Sequence, residues 1–536
     1  MSTSEDSFDV VIVGSGGGGI VGGYLAASRG LRTLVIEKSD RIGGTTAYSG
    51  GGAWFPGSAP AQRAGIADSD LEAARGYLRR SVNDPAREEI QDAYLAAGIA
   101  LIDELERNRW FQSFVHGPVP DYYGTDEGAT AHGRTVFPPP VEVAELGAET
   151  AALVRRSLYT ERYGHTEDDV LLGGRALIGR ALAAFLETGN GVVETETELT
   201  GLIVENDRVV GIEASAHGES RRVRAERGVL LAAGGFEHNA ELRAKYGVVP
   251  VSGEWSNGVA TNVGDALLAG IAVGADVELL DEAWYVPGLI QPDGNPLFHT
   301  GTRGGIWVNG AGERFVNEIR PYDQAGHVIR EKQLTTDVSH IPTYWIFDHK
   351  QFVRDGFGGK APDQPVDEVW FESGALKKAD TLEELAEIIG VPADALVASV
   401  RKFNGYVPGG VDEEFHRGEA VWDQMFQYAV GYAALPEQNF VLTIEPEGPN
   451  PLIASIDSPP YYAATIVLSD IGTKGGLKTD VDARVLRADG SPIEGLYATG
   501  NTMAAMAGRV YPGAGTPIGS SLAFAYRAVR DLETRG

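Results

Sequence analysis

Two groups of residues in this chain have types and spacings that could do chemistry. The first is Gly14-Ser-Gly16-Gly-Gly-Gly19, with Glu37 further along. Lacking a Cβ, Gly14 permits a tight turn and Gly16 lets the backbone approach a pyrophosphate. Gly19 lets a helix pack closely on a strand. The start of that helix would offer N–H groups and a positive dipole end to phosphates, and Glu37 is placed to accept hydrogen bonds from an adenosine ribose. The second group is the loop Gly43-Gly-Thr-Thr-Ala-Tyr-Ser-Gly-Gly-Gly52. Its backbone N–H groups and hydroxyls can wrap a large ligand without steric conflict, although a flexible surface loop has the same composition.

The elements that must position these groups decide what they are worth. A bare G-x-G-x-x-G spacing arises by chance roughly once in a chain with 70 glycines among 536 residues, so it proves nothing alone. Its context is informative. Residues 8–13 form a short β-branched apolar run, as in a buried parallel strand. A helical stretch over 20–29 ends at Gly30, and a second strand over 31–36 closes on Glu37. An NAD domain would normally pass from there into another helix. The interposed Gly/Ser/Thr loop argues for a larger cofactor, FAD. Far away, residues 495–500 read as a strand and 516–527 as a helix with Pro517 near its start. Such a helix N-terminus at the pyrimidine end of a flavin would stabilise the charge of its reduced form. An ordinary helix packed on the sheet fits equally.

At 536 residues, the chain is expected to divide into two domains. Its formal charge of −30 repels phosphate backbones, so no nucleic-acid partner is expected. The absence of Cys excludes disulfides, thiolate metal sites, Cys nucleophiles and Cys-linked flavin, and no metal centre is expected. It is compatible with a cytoplasmic location. The first residues carry no basic n-region, so no signal peptide is expected, and no window approaches the ~20 apolar residues of a membrane-spanning helix.

Glu37 with GGTTAYSGGG, the strand ending Ala232-Ala-Gly-Gly235, Asn262-Val-Gly-Asp265 and the closing GLYATGN together resemble the fumarate reductase/succinate dehydrogenase flavoprotein superfamily. Within it, the chain is most similar to bacterial 3-ketosteroid Δ1-dehydrogenases. The resembling stretches are Thr45-Thr-Ala-Tyr-Ser-Gly50 with Trp54 and Pro56, Pro120-Asp-Tyr-Tyr123 and Gly173-Gly-Arg-Ala-Leu177. They continue with Arg314-Phe-Val-Asn-Glu-Ile-Arg-Pro-Tyr-Asp323, Leu468-Ser-Asp-Ile-Gly-Thr-Lys-Gly-Gly476 and Tyr511-Pro-Gly-Ala-Gly515. They span nearly the whole chain. The resemblance implies an α/β (α+β overall) fold: a Rossmann-type FAD-binding domain in two segments, 1–280 and 456–536, with a smaller catalytic domain inserted at 281–455. Residues 201–212 carry a hairpin signature within the first segment. The FAD is expected to be held non-covalently, first by Gly14, Ser15, Gly16, Gly17, Gly19, Glu37 and Lys38. The loop adds Gly44, Thr45, Thr46, Ser49, Gly50 and Gly51. Ala233, Gly234, Asn262, Asp265, Gly500, Asn501, Pro517 and Ile518 complete the set.

In the chemistry the resemblance implies, a proton leaves C2 of a 3-ketosteroid and a hydride leaves C1 for flavin N5. The developing enolate oxygen needs fixed hydrogen-bond donors, and trans elimination puts the base and the flavin on opposite faces. By the family's motifs, the Tyr511 hydroxyl and Gly515 N–H bind the 3-keto oxygen, Tyr322 takes the C2 proton, and Tyr122 is its hydrogen-bonded helper, with Tyr123 an alternative to Tyr122. A phenol of pKa near ~10 is a poor base unless a second hydroxyl stabilises its anion, so a tyrosine pair is chemically sensible. An electron acceptor, a quinone or an artificial dye, is also implied.

His299 is the one histidine near the expected catalytic domain worth inspecting, with ordinary hydrogen bonding as its expected role. Arg303 and Arg320 do not make the clamp a dicarboxylate would need. Trp54, Phe55, Tyr122, Tyr123, Trp284 and Tyr285 suit an apolar polycycle and equally suit a core. Residues 424–450 are apolar, aromatic and nearly uncharged, and read as a flap docking peripherally on a membrane, a lid or a subunit contact. Two other functions compete: a dehydrogenase acting at C4 of 5α-saturated 3-ketosteroids, and a flavin-binding protein without dehydrogenase chemistry.

Overall fold

The structure, a computed structural model, describes residues 6–66, 71–166, 168–299, 304–358, 360, 364–425 and 447–535. Most of the segment at 424–450 lies outside the described residues. The chain divides into two units. The first comprises 1–251, 258–283 and 472–536, and the second 252–257 and 284–471.

The first unit is built on β1 (Asp6–Val13), whose last residues Val10–Val13 are fully or almost fully buried, as a strand covered on both faces requires. β1 pairs in parallel with β2 (Thr33–Ile36) on one side and with the strand Glu219–Leu231 on the other, within an eight-stranded sheet. Pro492–Ala498 lies parallel to Glu219–Leu231. The register matters for function. Val13 faces both Ile36 and Leu231, and Leu231 faces Ala498. Strand ends from positions 13, 36, 231 and 498 therefore finish level, and the loops leaving them meet along one edge. Ligands of open parallel sheets bind at that edge.

Between β1 and β2 runs α1 (Gly17–Ser28), buried from Gly17 to Ala27. Its glycines cost helix propensity, about 1 kcal/mol each against Ala. Close packing explains them: a Cβ on Gly18 would stand 2.6 Å from the carbonyl oxygen of Ser521, on the C-terminal helix Thr516–Thr534. A small sheet of Ala53–Trp54, Val115–Gly117 and Thr135–Phe137 completes the part of this unit that bears on the site.

The second unit holds a six-stranded sheet that includes Ala283–Ile290, Ile306–Val308, Thr343–Asp348 and Tyr461–Thr473. Helices Leu382–Ile389 and Ala393–Asn404 pack on it through Leu385, Leu396, Val400 and Phe403, against Ile306, Val308 and Ile346. The long strand Tyr461–Thr473 belongs to this sheet. The chain accordingly returns to the first unit at 472, later than the 456 expected from sequence. The expected insert boundary at 281 lies close to the observed one at 284. Among the described residues, no helix is long and apolar enough to cross a membrane.

Candidate active site

The level strand ends of the first unit place the residues expected to hold a dinucleotide. Gly14 follows β1 with φ 95°, and a Cβ there would lie 2.5 Å from the Ala232 carbonyl oxygen. Only glycine fits that turn. Gly19 is as restricted, because its Cβ would collide with the Gly14 carbonyl. Gly16 differs: a Cβ there would find nothing nearer than 3.8 Å, and one on Gly44 nothing nearer than 3.7 Å, at Gly16 itself. The Gly16 and Gly44 backbones thus border space that is open to a ligand.

Hydroxyls ring this space. Thr46 Oγ1 accepts the Gly17 N–H at 3.0 Å, and Ser521 Oγ accepts that of Gly18 at 3.1 Å. Ser15 Oγ accepts the Gly43 N–H at 3.0 Å and donates to Glu37 at 2.5 Å, joining the two loops. Glu37 also accepts the Ser15 and Ser39 N–H groups at 3.1 and 2.9 Å, so its carboxylate is fixed at the end of β2. Lys38 pairs with Asp265 at 2.9 Å and Glu198 at 2.8 Å; two residues expected at the cofactor are therefore each other's partners. Thr45 Oγ1 accepts from Asn262 Nδ2 at 3.2 Å and from the Val259 N–H at 3.1 Å. Asn262 Nδ2 also donates to the buried Glu237 at 2.6 Å.

On the third and fourth strand ends, Ala233 and Gly234 follow Glu219–Leu231, and the Gly234 carbonyl accepts from Thr502 Oγ1 at 2.9 Å. Gly500 and Asn501 lie in the turn after Pro492–Ala498. Ser49 Oγ accepts the Gly51 N–H at 3.1 Å, and a Cβ on Gly50 would meet nothing within 4 Å. Pro517 and Ile518 occupy the first turn of Thr516–Thr534. The donor set, hydroxyls and N–H groups around glycine-walled space at a helix N-terminus, suits the pyrophosphate and ribose of FAD.

A second cluster in the same unit contains Tyr122, Tyr511 and Gly515. Gly515 caps Thr516–Thr534 with φ 89°, and a Cβ would stand 2.5 Å from the Gly52 carbonyl carbon. Its N–H donates to the Tyr511 hydroxyl in a long hydrogen bond of 3.4 Å. The Tyr122 and Tyr511 rings pack at 5.1 Å between centroids, and both tyrosines are buried. Trp54 and Phe55 are core here, Trp54 stacked on Tyr94 at 6.3 Å.

Tyr322 belongs to the second unit, where it is the first residue of the helix Tyr322–Thr335, 4% exposed. Its ring meets Phe298 edge-on at 4.8 Å and Trp422 at 6.4 Å. The turn before it is firmly held. Arg314 donates to Glu318 at 2.8 Å and to Asp412 at 2.7 Å, and Arg417 donates to Glu318 at 3.1 Å. Asn317 donates to Asp423 at 2.8 Å, and the Trp422 indole donates to the Ile319 carbonyl at 2.8 Å. Burial opposes the charge on Arg314, yet Glu318 and Asp412 hold its pKa above the ordinary range. His299 departs from the ordinary hydrogen bonding expected of it: its Nε2 is buried with no partner among the described residues. Its ring sits beside Trp345 and Trp307, and burial pushes its pKa down to about 4. Arg320 donates to Gln324 at 3.1 Å, while Arg303 lies outside the described residues.

With this geometry in view, the resemblances are specific. The FAD binding domain family matches residues 9–518. A 3-oxosteroid 1-dehydrogenase of Mycobacterium tuberculosis is 38% identical over 97% of each chain, and one of Rhodococcus opacus 37% identical over 98% of each. The chain belongs to the 3-ketosteroid Δ1-dehydrogenase family. It is an FAD-dependent oxidoreductase with that family's fold. The crystal structure of the 3-ketosteroid Δ1-dehydrogenase of Sterolibacterium denitrificans, in complex with 1,4-androstadiene-3,17-dione, superposes with a TM-score of 0.89 at 33% identity. The match covers 99% of this chain and 100% of that one.

Sequence reasoning did not single out Asp121, Arg134, Glu237 or Ser521. Asp121 stands inside the Pro-Asp-Tyr-Tyr motif and Ser521 inside the helix read at 516–527, signals that could have found them. Arg134 and Glu237 gave none, because their partners are distant in sequence.

Proposed function

We propose that this chain desaturates ring A of 3-ketosteroids, removing hydrogens from C1 and C2 by trans elimination. The observation that carries this reading is the pairing of the Tyr511 hydroxyl with the Gly515 N–H at the start of Thr516–Thr534. Donor atoms 3.4 Å apart can both lie about 2.9 Å from one acceptor oxygen. A ketone oxygen held there gains negative charge as the C2 proton departs. Donors fixed beforehand, with a helix N-terminus behind them, favour that enolate over the ketone.

Tyr322 is assigned the base for the C2 proton. Tyr122 carries the second hydroxyl that a phenol base needs to lower the cost of its anion. Non-covalently bound FAD supplies the hydride acceptor. Gly14, Ser15, Gly16, Gly17, Glu37, Thr46 and their neighbours hold it in place and exclude competing water. A quinone serves as the final electron acceptor, replaceable by an artificial dye. Steroid and quinone both partition into bilayers, which favours a cytoplasmic enzyme in peripheral contact with a membrane.

The test is anaerobic exposure of the yellow protein to a panel of 3-ketosteroids. A 3-keto-4-ene steroid should bleach the flavin band and, with a dye present, give a product lighter by two hydrogens. A yellow protein that leaves every such steroid untouched sinks the reading. Turnover of 5α-saturated 3-ketosteroids alone, giving 4-ene products, would assign the chain to C4 chemistry instead.

A further inference from the structure

Tyr122 and the Tyr511–Gly515 donor pair are carried by separate segments of the first unit, 120–123 and 511–515. Both segments are tied to a single buried carboxylate. Asp121 is 1% exposed. Its Oδ1 accepts the Trp54 Nε1–H at 2.9 Å, and its Oδ2 accepts the Thr130 N–H at 3.1 Å and pairs with the equally buried Arg134. Trp54 holds the other segment. Its backbone N–H donates to the Gly515 carbonyl at 3.3 Å, and its Nε1 lies 2.5 Å from where a Cβ on Gly513 would stand. The Tyr122 N–H closes the circuit by donating to the Pro512 carbonyl at 3.0 Å, which also accepts from Tyr77 at 2.5 Å.

A charge at this depth is costly. Burial pushes the Asp121 carboxyl up to about 6 despite Arg134 beside it, and apolar side chains of equal volume would often be as stable. What apolar side chains would not supply is direction. The Trp54–Asp121 hydrogen bond fixes the indole in its plane, parallel to the Tyr94 ring within 2°, and so fixes the backbone that meets Gly515.

We propose that Asp121 and Trp54 are positioning residues for the reaction: their hydrogen bond sets the spacing between Tyr122 and the Tyr511–Gly515 donors. The inference rests on the dehydrogenase reading above. Neither residue need touch the steroid. They act through the loops they hold, where a shift of about 1 Å can cost ~100-fold in rate.

Asp121→Ala would strand Arg134 as a buried charge and risks unfolding, so the decisive variant is Trp54→Phe. It keeps the Asp121–Arg134 pair and an aromatic ring against Tyr94 while removing the indole donor. Asp121→Glu, which keeps the charge but moves the carboxylate by one methylene, is the second. Both are assayed as holoenzyme with a 3-keto-4-ene steroid and a dye, beside the wild type, with rates expressed per bound FAD. A kcat at least tenfold lower, with KM within about twofold and FAD content retained, is expected. Wild-type kcat per bound FAD in both variants, beside an active wild type, overturns the proposal alone. A wild type that turns over no steroid overturns the dehydrogenase reading and this proposal with it.

Discussion

The Gly515 amide nitrogen lies 3.4 Å from the Tyr511 hydroxyl, at the first turn of a helix that also closes the cofactor edge of the sheet through Ser521 and Gly18. One helix thus begins beside the proposed ketone donors and covers the start of α1.

Tyr511→Phe removes one of the two donors without changing the ring that packs on Tyr122. The kcat for a 3-keto-4-ene steroid should fall about 100- to 1,000-fold, the usual loss for one oxyanion donor. Flavin content, read from absorbance, should not change. Undiminished turnover would remove Tyr511 from the site.

Tyr322→Phe should suppress turnover with FAD retained, because the helix start it occupies is held by Trp422, Asn317 and Arg314 independently of its hydroxyl. Steady-state rates at several pH values test this. Full activity at every pH would mean that another residue takes the proton.

Gly14→Ala places a Cβ 2.5 Å from the Ala232 carbonyl oxygen at a φ of 95° that L residues rarely adopt. The strand end must move, so the purified variant should be colourless or lose FAD on gel filtration. A yellow variant with wild-type flavin content would show that the turn tolerates the displacement.

The half-buried His299 imidazole should give stability a pH dependence of defined sign. Its folded pKa is pushed down from 6.5 to about 4, so between those values the unfolded chain binds more protons than the folded one. The contribution of this residue is full above pH ~6.5 and is lost as pH falls toward 4. Thermal unfolding followed across pH 7 to 4 should be less steeply pH-dependent in His299→Phe, which keeps an aromatic ring beside Trp345. Identical slopes for the two proteins would show that His299 is not the titrating group.

Much of the cofactor edge could be read from the chain. The short strand at 8–13, the glycines after it and Glu37 at the end of a second strand are local signals, and the structure assembles them in parallel register. Motif order implies an insert ending at 455, whereas the second unit runs to 471. Residues 456–471 belong to the second unit because Tyr461–Thr473 pairs with Thr343–Asp348, a partner more than 100 residues away that no local pattern announces. The same limit hid Glu237 behind Asn262, and hid the ion pair between Lys38 and Asp265.

By itself, the sequence determined that a dinucleotide fold begins with the strand that ends at Val13. Gly14, Gly16 and Gly19 act through the absence of a side chain, a property fixed by residue type and short-range geometry. The tertiary structure decided which residues meet across hundreds of positions. It levelled four strand ends, set Tyr511 against both Gly515 and Tyr122, and buried Asp121 beside Trp54 and Arg134. Those relationships come from packing and burial, whose energies depend on what surrounds a residue rather than on its neighbours in the chain.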